Sequence, residues 1–321
     1  MVQTSAMTEF REERSPALKE TAYKYGIAMV LLVLNNVAAP ILFSLLFSLL
    51  GFHVEKDTDG YYAALMILNE LSAYVFPILL IRAMFRRERA AFVPDGSYVR
   101  FSFDSVALFL AGVAAGSLGT ILTELINGIL DRLFGTGEIP EVFGGMKPQN
   151  PVQLGIFMLC ICVVAPLAEE YLFRDLLLKP LRRFHDLAAA VTSGLIFGLY
   201  HGNFDQFAYA ALLGFFYAVI VVRANSIRPT VILHAANNLF VCLATYLPVA
   251  IPEAEAFSGV FSAVLNLMLP FGVIAVIVAA RRGCFALHSR ESLSFRGAGG
   301  EMLRSPAVIV GLVVMAASFF F

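Results

Sequence analysis

Long apolar segments constrain this chain more than any other feature. Eight of them are long enough to cross a bilayer, and a shorter ninth follows. They lie near residues 26–51, 61–85, 104–130, 151–178, 187–203, 206–222, 229–250, 257–280 and 305–321. About 20 apolar residues span the hydrocarbon core as a helix, because each backbone N–H and C=O group must find a partner within the segment.

These segments predict an all-α polytopic membrane helix bundle with eight core transmembrane helices. The short ninth segment either crosses the bilayer or lies at its interface. We predict a single membrane domain over residues 1–321, in which residues 281–304 form a cytoplasmic linker before the C-terminal hydrophobic segment.

The composition excludes several classes of protein. Hydrophobic residues make up 59% of the chain and charged residues only 15%, against about 25% charged residues in ordinary globular proteins. A water-soluble enzyme is therefore excluded. Four cysteines give no disulfide framework, and a net charge of −1 gives no sign of a nucleic-acid partner.

The basic residues predict the orientation in the membrane. Twenty of the 23 lysines and arginines fall on alternate connections, starting with the N-terminal segment, and three fall on the others. Short cytoplasmic loops are enriched in Lys and Arg. We therefore expect the N-terminus to be cytoplasmic.

Charged residues and histidines within apolar segments are costly, so they are the main indication of function. Three motifs contain them: Glu169-Glu170-x-x-x-Arg174 in the fourth segment, Phe197-x-x-x-His201 in the fifth, and His234-x-x-x-Asn238 in the seventh. On a helix, residues four apart share a face. We expect these groups to meet in the middle-to-inner part of the bilayer, about 8–21 Å from its inner face at 1.5 Å per residue.

The helical spacing suggests how these side chains are arranged. Glu170 pairs with Arg174 along one helix, and Glu169, turned about 100° away, stays free. Phe197 holds the ring of His201. A structural alternative is a buried ion pair that fixes helix packing only. Glu70, near the middle of the second segment, belongs to no motif and either faces the same cavity or bonds to another helix.

Together, the three motifs, each on its own predicted span, resemble those of the CAAX protease and bacteriocin-processing family. These are intramembrane endopeptidases, also called type II CAAX prenyl endopeptidases. The resemblance covers residues 152–247, the family's catalytic core. It implies an integral protein of a prokaryotic cell membrane that cleaves a membrane-associated or exported peptide or protein.

The resemblance also implies a role for each motif residue. Glu169 and His201 match the pair that activates a water molecule. His234 and Asn238 match the residues that form the oxyanion site. Glu170 and Arg174 match the supporting ion pair.

Two questions stay open at this stage. Glu169, His201 and His234 could bind zinc, as in a metalloprotease, but Asn238 beside His234 suits an oxyanion site better, so we favour a glutamate-dependent enzyme without a cofactor. The alternative functions are a non-catalytic bacteriocin-immunity or scaffold protein of the same fold and a proton-coupled transporter.

Overall fold

The structure, a computed structural model, describes residues 16–49, 58–91, 102–134, 146–287 and 294–320, and every regular element among them is helical. We number the helices in chain order: α1 (Pro16–Leu49), α2 (Asp59–Met84), α3 (Arg86–Ala91), α4 (Phe103–Phe134), α5 (Pro151–Arg182), α6 (Asp186–Tyr200), α7 (Phe204–Ala224), α8 (Arg228–Ala250), α9 (Glu255–Arg281), α10 (Phe295–Arg304) and α11 (Pro306–Ala317).

Seven of the described helices are long and apolar enough to cross a membrane, namely α1, α2, α4, α5, α7, α8 and α9. Helix α6 is apolar but has 15 residues. Helices α10 and α11 reach spanning length only as a pair, and they meet at an angle of 75°. The predicted all-α polytopic bundle is confirmed.

The start of α1 and the predicted linker both differ from the sequence prediction. Helix α1 begins at Pro16, ten residues before the predicted start of the first segment. Its first turns carry charged residues, which a search for apolar residues leaves out. One of them, Lys24, pairs with Glu20 at 2.8 Å and with Glu88 of α3. Part of the predicted linker is helix α10, whose first turn is capped by Ser294, since its hydroxyl accepts a hydrogen bond from the Gly297 N–H at 3.0 Å.

Helix α5 contains two π-helical segments, Cys160–Val164 and Glu170–Leu177, on either side of a short α-helical stretch that ends at Glu169. In a π segment the hydrogen bonds run from residue i+5 to residue i, as from the Ala165 N–H to the Cys160 carbonyl. The next such bond would need an N–H on Pro166, which proline lacks. The carbonyl of Ile161 is therefore left without its backbone donor.

Side chains from three other helices donate to carbonyl groups of these π segments. Asn238 of α8 donates to Ile161 at 2.9 Å, Ser193 of α6 donates to Phe173 at 3.0 Å, and Tyr25 of α1 donates to Leu177. π-Helical turns are frequent at functional sites. Here they tie α5 to the helices that surround it.

Helices α6 and α7 pack closely because Gly194 and Gly198 face α7. A Cβ atom on Gly194 would lie 2.7 Å from the Phe215 nitrogen, and one on Gly198 would lie 2.7 Å from the Phe207 carbonyl oxygen. Helix α6 ends at Tyr200, three residues before the predicted end of this span. His201 therefore caps the helix, followed by Gly202 in a left-handed conformation with φ +64°.

Candidate active site

Glu170 and Arg174 form an ion pair inside the bundle. Arg174 Nε lies 3.5 Å from Glu170 Oε2, and both side chains have no solvent exposure. The guanidinium group also lies over the Phe197 ring, 4.2 Å from its centroid, and donates to the Gly214 carbonyl at 3.3 Å. The pair expected from the spacing of four residues is present.

His234 lies between the two adjacent glutamates. Its Nδ1 is 3.1 Å from Glu170 Oε1, and its Nε2 is 3.5 Å from Glu169 Oε2. The ring packs against Tyr217 and the edge of Phe197, with centroids 5.2 and 5.9 Å away. Glu170 thus positions a histidine as well as an arginine.

Glu169 is buried, with 8% of the residue exposed. The sequence suggested that Glu169 stays free, and this prediction is wrong. The Tyr74 hydroxyl of α2 donates a hydrogen bond to Glu169 Oε1 at 2.6 Å. Sequence analysis missed Tyr74. It lies 95 residues from Glu169, and no spacing pattern connects positions on separate spans.

His201 lies at the C-terminal end of α6. Its Nδ1 is 2.8 Å from the Phe197 carbonyl oxygen, and the Phe197 ring meets it edge-on with centroids 4.9 Å apart. A carbonyl oxygen only accepts, so Nδ1 carries the proton and Nε2 of the neutral ring is an acceptor. His201 lies in electrostatic range of both Glu169 and His234.

Asn238 is turned towards α5. Its side-chain NH₂ group donates one hydrogen to the Ile161 carbonyl, the carbonyl that Pro166 leaves without a donor. Its Oδ1 accepts from Asn237 at 3.4 Å, and Asn237 in turn accepts from the Tyr209 hydroxyl at 2.9 Å. An amide NH₂ has two hydrogens, so one hydrogen of Asn238 has no partner assigned by these bonds.

Glu169, His201 and His234 are the candidate zinc ligands named from the sequence. Within the described ranges, no three His, Cys, Asp or Glu side chains converge to hold a metal ion, and this includes Glu169, His201 and His234. Zinc needs nitrogen and oxygen ligands about 2.0–2.2 Å from one point.

A largely apolar cavity of about 340 Å³ lies between α5 and α8. It is lined by Met158, Leu159, Cys162, Val163, Ala235, Ala236 and Leu239. Leu159 and Val163 are exposed on the outer face of α5. The cavity therefore adjoins the surface that lipid would contact.

Comparison with known proteins gives one family match and one curated relative. The family model for "Type II CAAX prenyl endopeptidase Rce1-like" matches residues 151–240, which hold all three motifs. The Bacillus subtilis (strain 168) protein named "Putative membrane peptidase YdiL" is 22% identical over 229 residues, which cover 70% of this chain and 91% of that protein. No solved structure matches the chain significantly.

Arg174→Leu should lower the free energy of unfolding by about 3–5 kcal/mol, because it leaves the buried Glu170 carboxylate without its cation. The double variant Glu170→Gln/Arg174→Leu should regain much of that loss. Thermal or denaturant unfolding in detergent measures both. Arg223→Leu, which breaks a partly exposed pair with Asp104, is the control and should cost about 1 kcal/mol or less. An Arg174→Leu protein as stable as the control would contradict the prediction.

Proposed function

We propose that the chain is a membrane protease of the type II CAAX prenyl endopeptidase Rce1-like family, whose model matches residues 151–240, and that it hydrolyses a peptide bond within the membrane with Glu169 as the base. The observation that carries the proposal is the surroundings of Glu169. This buried carboxyl group has one oxygen held by Tyr74 and the other 3.5 Å from His234, in electrostatic range of His201.

In the proposed mechanism, a water molecule binds between Glu169 and His201. The neutral ring of His201 accepts a hydrogen bond from that water through Nε2, which orients the water's lone pair. Glu169 removes a proton as the water oxygen attacks the carbonyl carbon of the substrate. General base catalysis by a positioned carboxylate contributes about 10²- to 10⁴-fold to a rate.

His234 and Asn238 stabilise the oxyanion that forms in this step. Asn238 offers its second amide hydrogen, while the first stays bonded to Ile161. His234 offers Nε2 when the ring is doubly protonated, since Nδ1 is committed to Glu170. Donors fixed before the reaction stabilise developing charge without reorganising, and in mutagenesis one such donor is worth about 10²- to 10³-fold in rate.

A metal ion is not needed for this chemistry, and we propose a mechanism without one. The carboxylate supplies the base, and the histidine and the asparagine supply donors. Supporting this, the donor atoms of the alternative zinc set do not converge, as described above.

The substrate we propose is a membrane-associated or exported peptide or protein. The cavity between α5 and α8 supports this, because it adjoins the surface that lipid would contact and is lined almost entirely by apolar side chains. An apolar peptide segment or a lipid chain attached to the substrate would fit such a lining. With the N-terminus cytoplasmic, the site lies in the middle-to-inner part of the bilayer.

Glu169→Ala and His201→Ala should each lower peptide cleavage by at least about 10²-fold, because each removes a group that acts on the water. Purified protein in liposomes is tested against a set of quenched fluorescent peptides, each anchored to the bilayer by an acyl or prenyl chain. Glu88→Ala and His185→Ala are the matched controls, since they remove a buried glutamate and a buried histidine outside the site. Cleavage by Glu169→Ala at the rate of the unsubstituted protein would end the proposal and favour a non-catalytic role.

Tyr74→Phe should lower kcat about tenfold and leave KM within about twofold. It removes the hydrogen bond that orients Glu169, and a bond to a charged acceptor contributes about 1.5–3 kcal/mol. Tyr62→Phe is the control on the same helix, where the lost hydrogen bond is to the Met146 carbonyl. Equal effects of the two substitutions would argue against a positioning role for Tyr74.

Removal of divalent metal should leave the cleavage rate unchanged. The protein is treated with a strong chelator and dialysed, and zinc is then measured by elemental analysis alongside activity. Loss of cleavage that added zinc restores would show that the proposal of a metal-free mechanism is wrong.

A further inference from the structure

Glu70 of α2 lies beside the site without belonging to any motif. Only 7% of the residue is exposed. It is one helical turn before Tyr74, so both side chains lie on one face of α2. Since the Tyr74 hydroxyl contacts Glu169, that face of α2 is directed at the site.

Among the described residues, no cation forms an ion pair with Glu70. The groups in electrostatic range of its carboxyl group include Tyr74, Cys160, Glu169 and Tyr200, and the Asn69 side chain donates a hydrogen bond to it. None of them carries a positive charge. Its Oε2 is buried and has no hydrogen-bond partner among the described residues.

Four other buried acids of the described chain are paired with cations. Glu88 faces Lys24, Glu170 faces Arg174, Asp175 faces Arg89 and Lys179, and Asp186 faces Arg182. Isolated buried carboxylates are strongly disfavoured unless they are paired or take up a proton. Glu70 therefore differs from these acids, because no cation pairs with it among the described residues and its hydrogen-bond donor is the neutral side chain of Asn69.

Two interacting carboxyl groups in a buried site are not both ionised, and the two then take different roles. The Tyr74 hydroxyl donates a hydrogen bond to Glu169 and so stabilises its carboxylate, whereas Oε2 of Glu70 has no hydrogen-bond partner among the described residues. These surroundings favour Glu70 as the member of the pair that carries a proton.

We propose that Glu70 is the proton donor to the leaving amine, an inference that rests on the proposed function. As the water attacks, its oxygen bonds to the carbonyl carbon and its proton passes to Glu169. When the C–N bond breaks, the electron pair goes to nitrogen, which takes the proton of Glu70. The proton on Glu169 then passes to the Glu70 carboxylate, and the site returns to its starting state with one water consumed.

A pair of substrates tests this role. The best-cleaved member of the liposome-anchored peptide set is compared with its analogue that has a thioester in place of the scissile amide. An amine does not leave without a proton, whereas a thiolate does. Glu70→Gln should therefore slow amide hydrolysis about 10²-fold or more and leave thioester hydrolysis within about threefold.

Glu70→Met, which also fills the space without a charge, is measured beside Glu70→Gln, so that the result does not depend on one variant folding. Retained thioester hydrolysis shows that a variant is folded. Glu88→Gln, a buried glutamate outside the site, should leave both rates unchanged.

The outcomes separate the two proposals. If the unsubstituted protein hydrolyses neither compound faster than Glu169→Ala, the proposed function is wrong, and this inference is wrong with it. If the unsubstituted protein cleaves both, the inference alone is wrong when the Glu70 variants lose both rates equally or lose neither.

Discussion

The buried ion pair between Glu170 and Arg174 is the interaction on which the arrangement of the site depends. Neither charge is tolerated alone in an apolar interior, so the two residues fix one another. Glu170 then holds His234 through Nδ1, and Arg174 lies over Phe197, whose carbonyl holds His201. One pair on α5 thus determines the positions of imidazoles from two other helices.

Much of the fold could be predicted from the sequence, because the bilayer allows few solutions. Apolar length alone located the spans, and the spacing of four residues indicated the Glu170–Arg174 pair that the structure contains. Errors arose where charge interrupts hydropathy. The first turns of α1 carry charged residues, among them Lys24, which pairs with Glu20 one turn away and with Glu88 of α3. Because of these charges, the sequence prediction placed the first turns outside the span. The roles of the motif residues stay predictions.

The rest of the site could not be predicted, because it depends on contacts between helices that have no sequence period. Tyr74 and Glu70 belong to no motif, and their importance comes from the way α2 packs against α5. Glu169 looked free because an ideal α-helix turns it away from Arg174. In the structure, a π segment begins at Glu170, the residue after Glu169. The hydroxyl of Tyr74, from another span, donates a hydrogen bond to one carboxylate oxygen of Glu169.

Pro166 places a second demand on Asn238. Because the proline has no N–H, the Asn238 amide completes the backbone of α5 in addition to its proposed part in the reaction. Alanine at position 238 would remove both the hydrogen bond between α8 and α5 and any oxyanion donor, so a single rate measurement would not separate the two effects. A double-mutant cycle that also replaces Pro166 by a residue with an N–H group would separate them. Residues 166 and 238 are therefore structurally coupled, even though they lie on different spans.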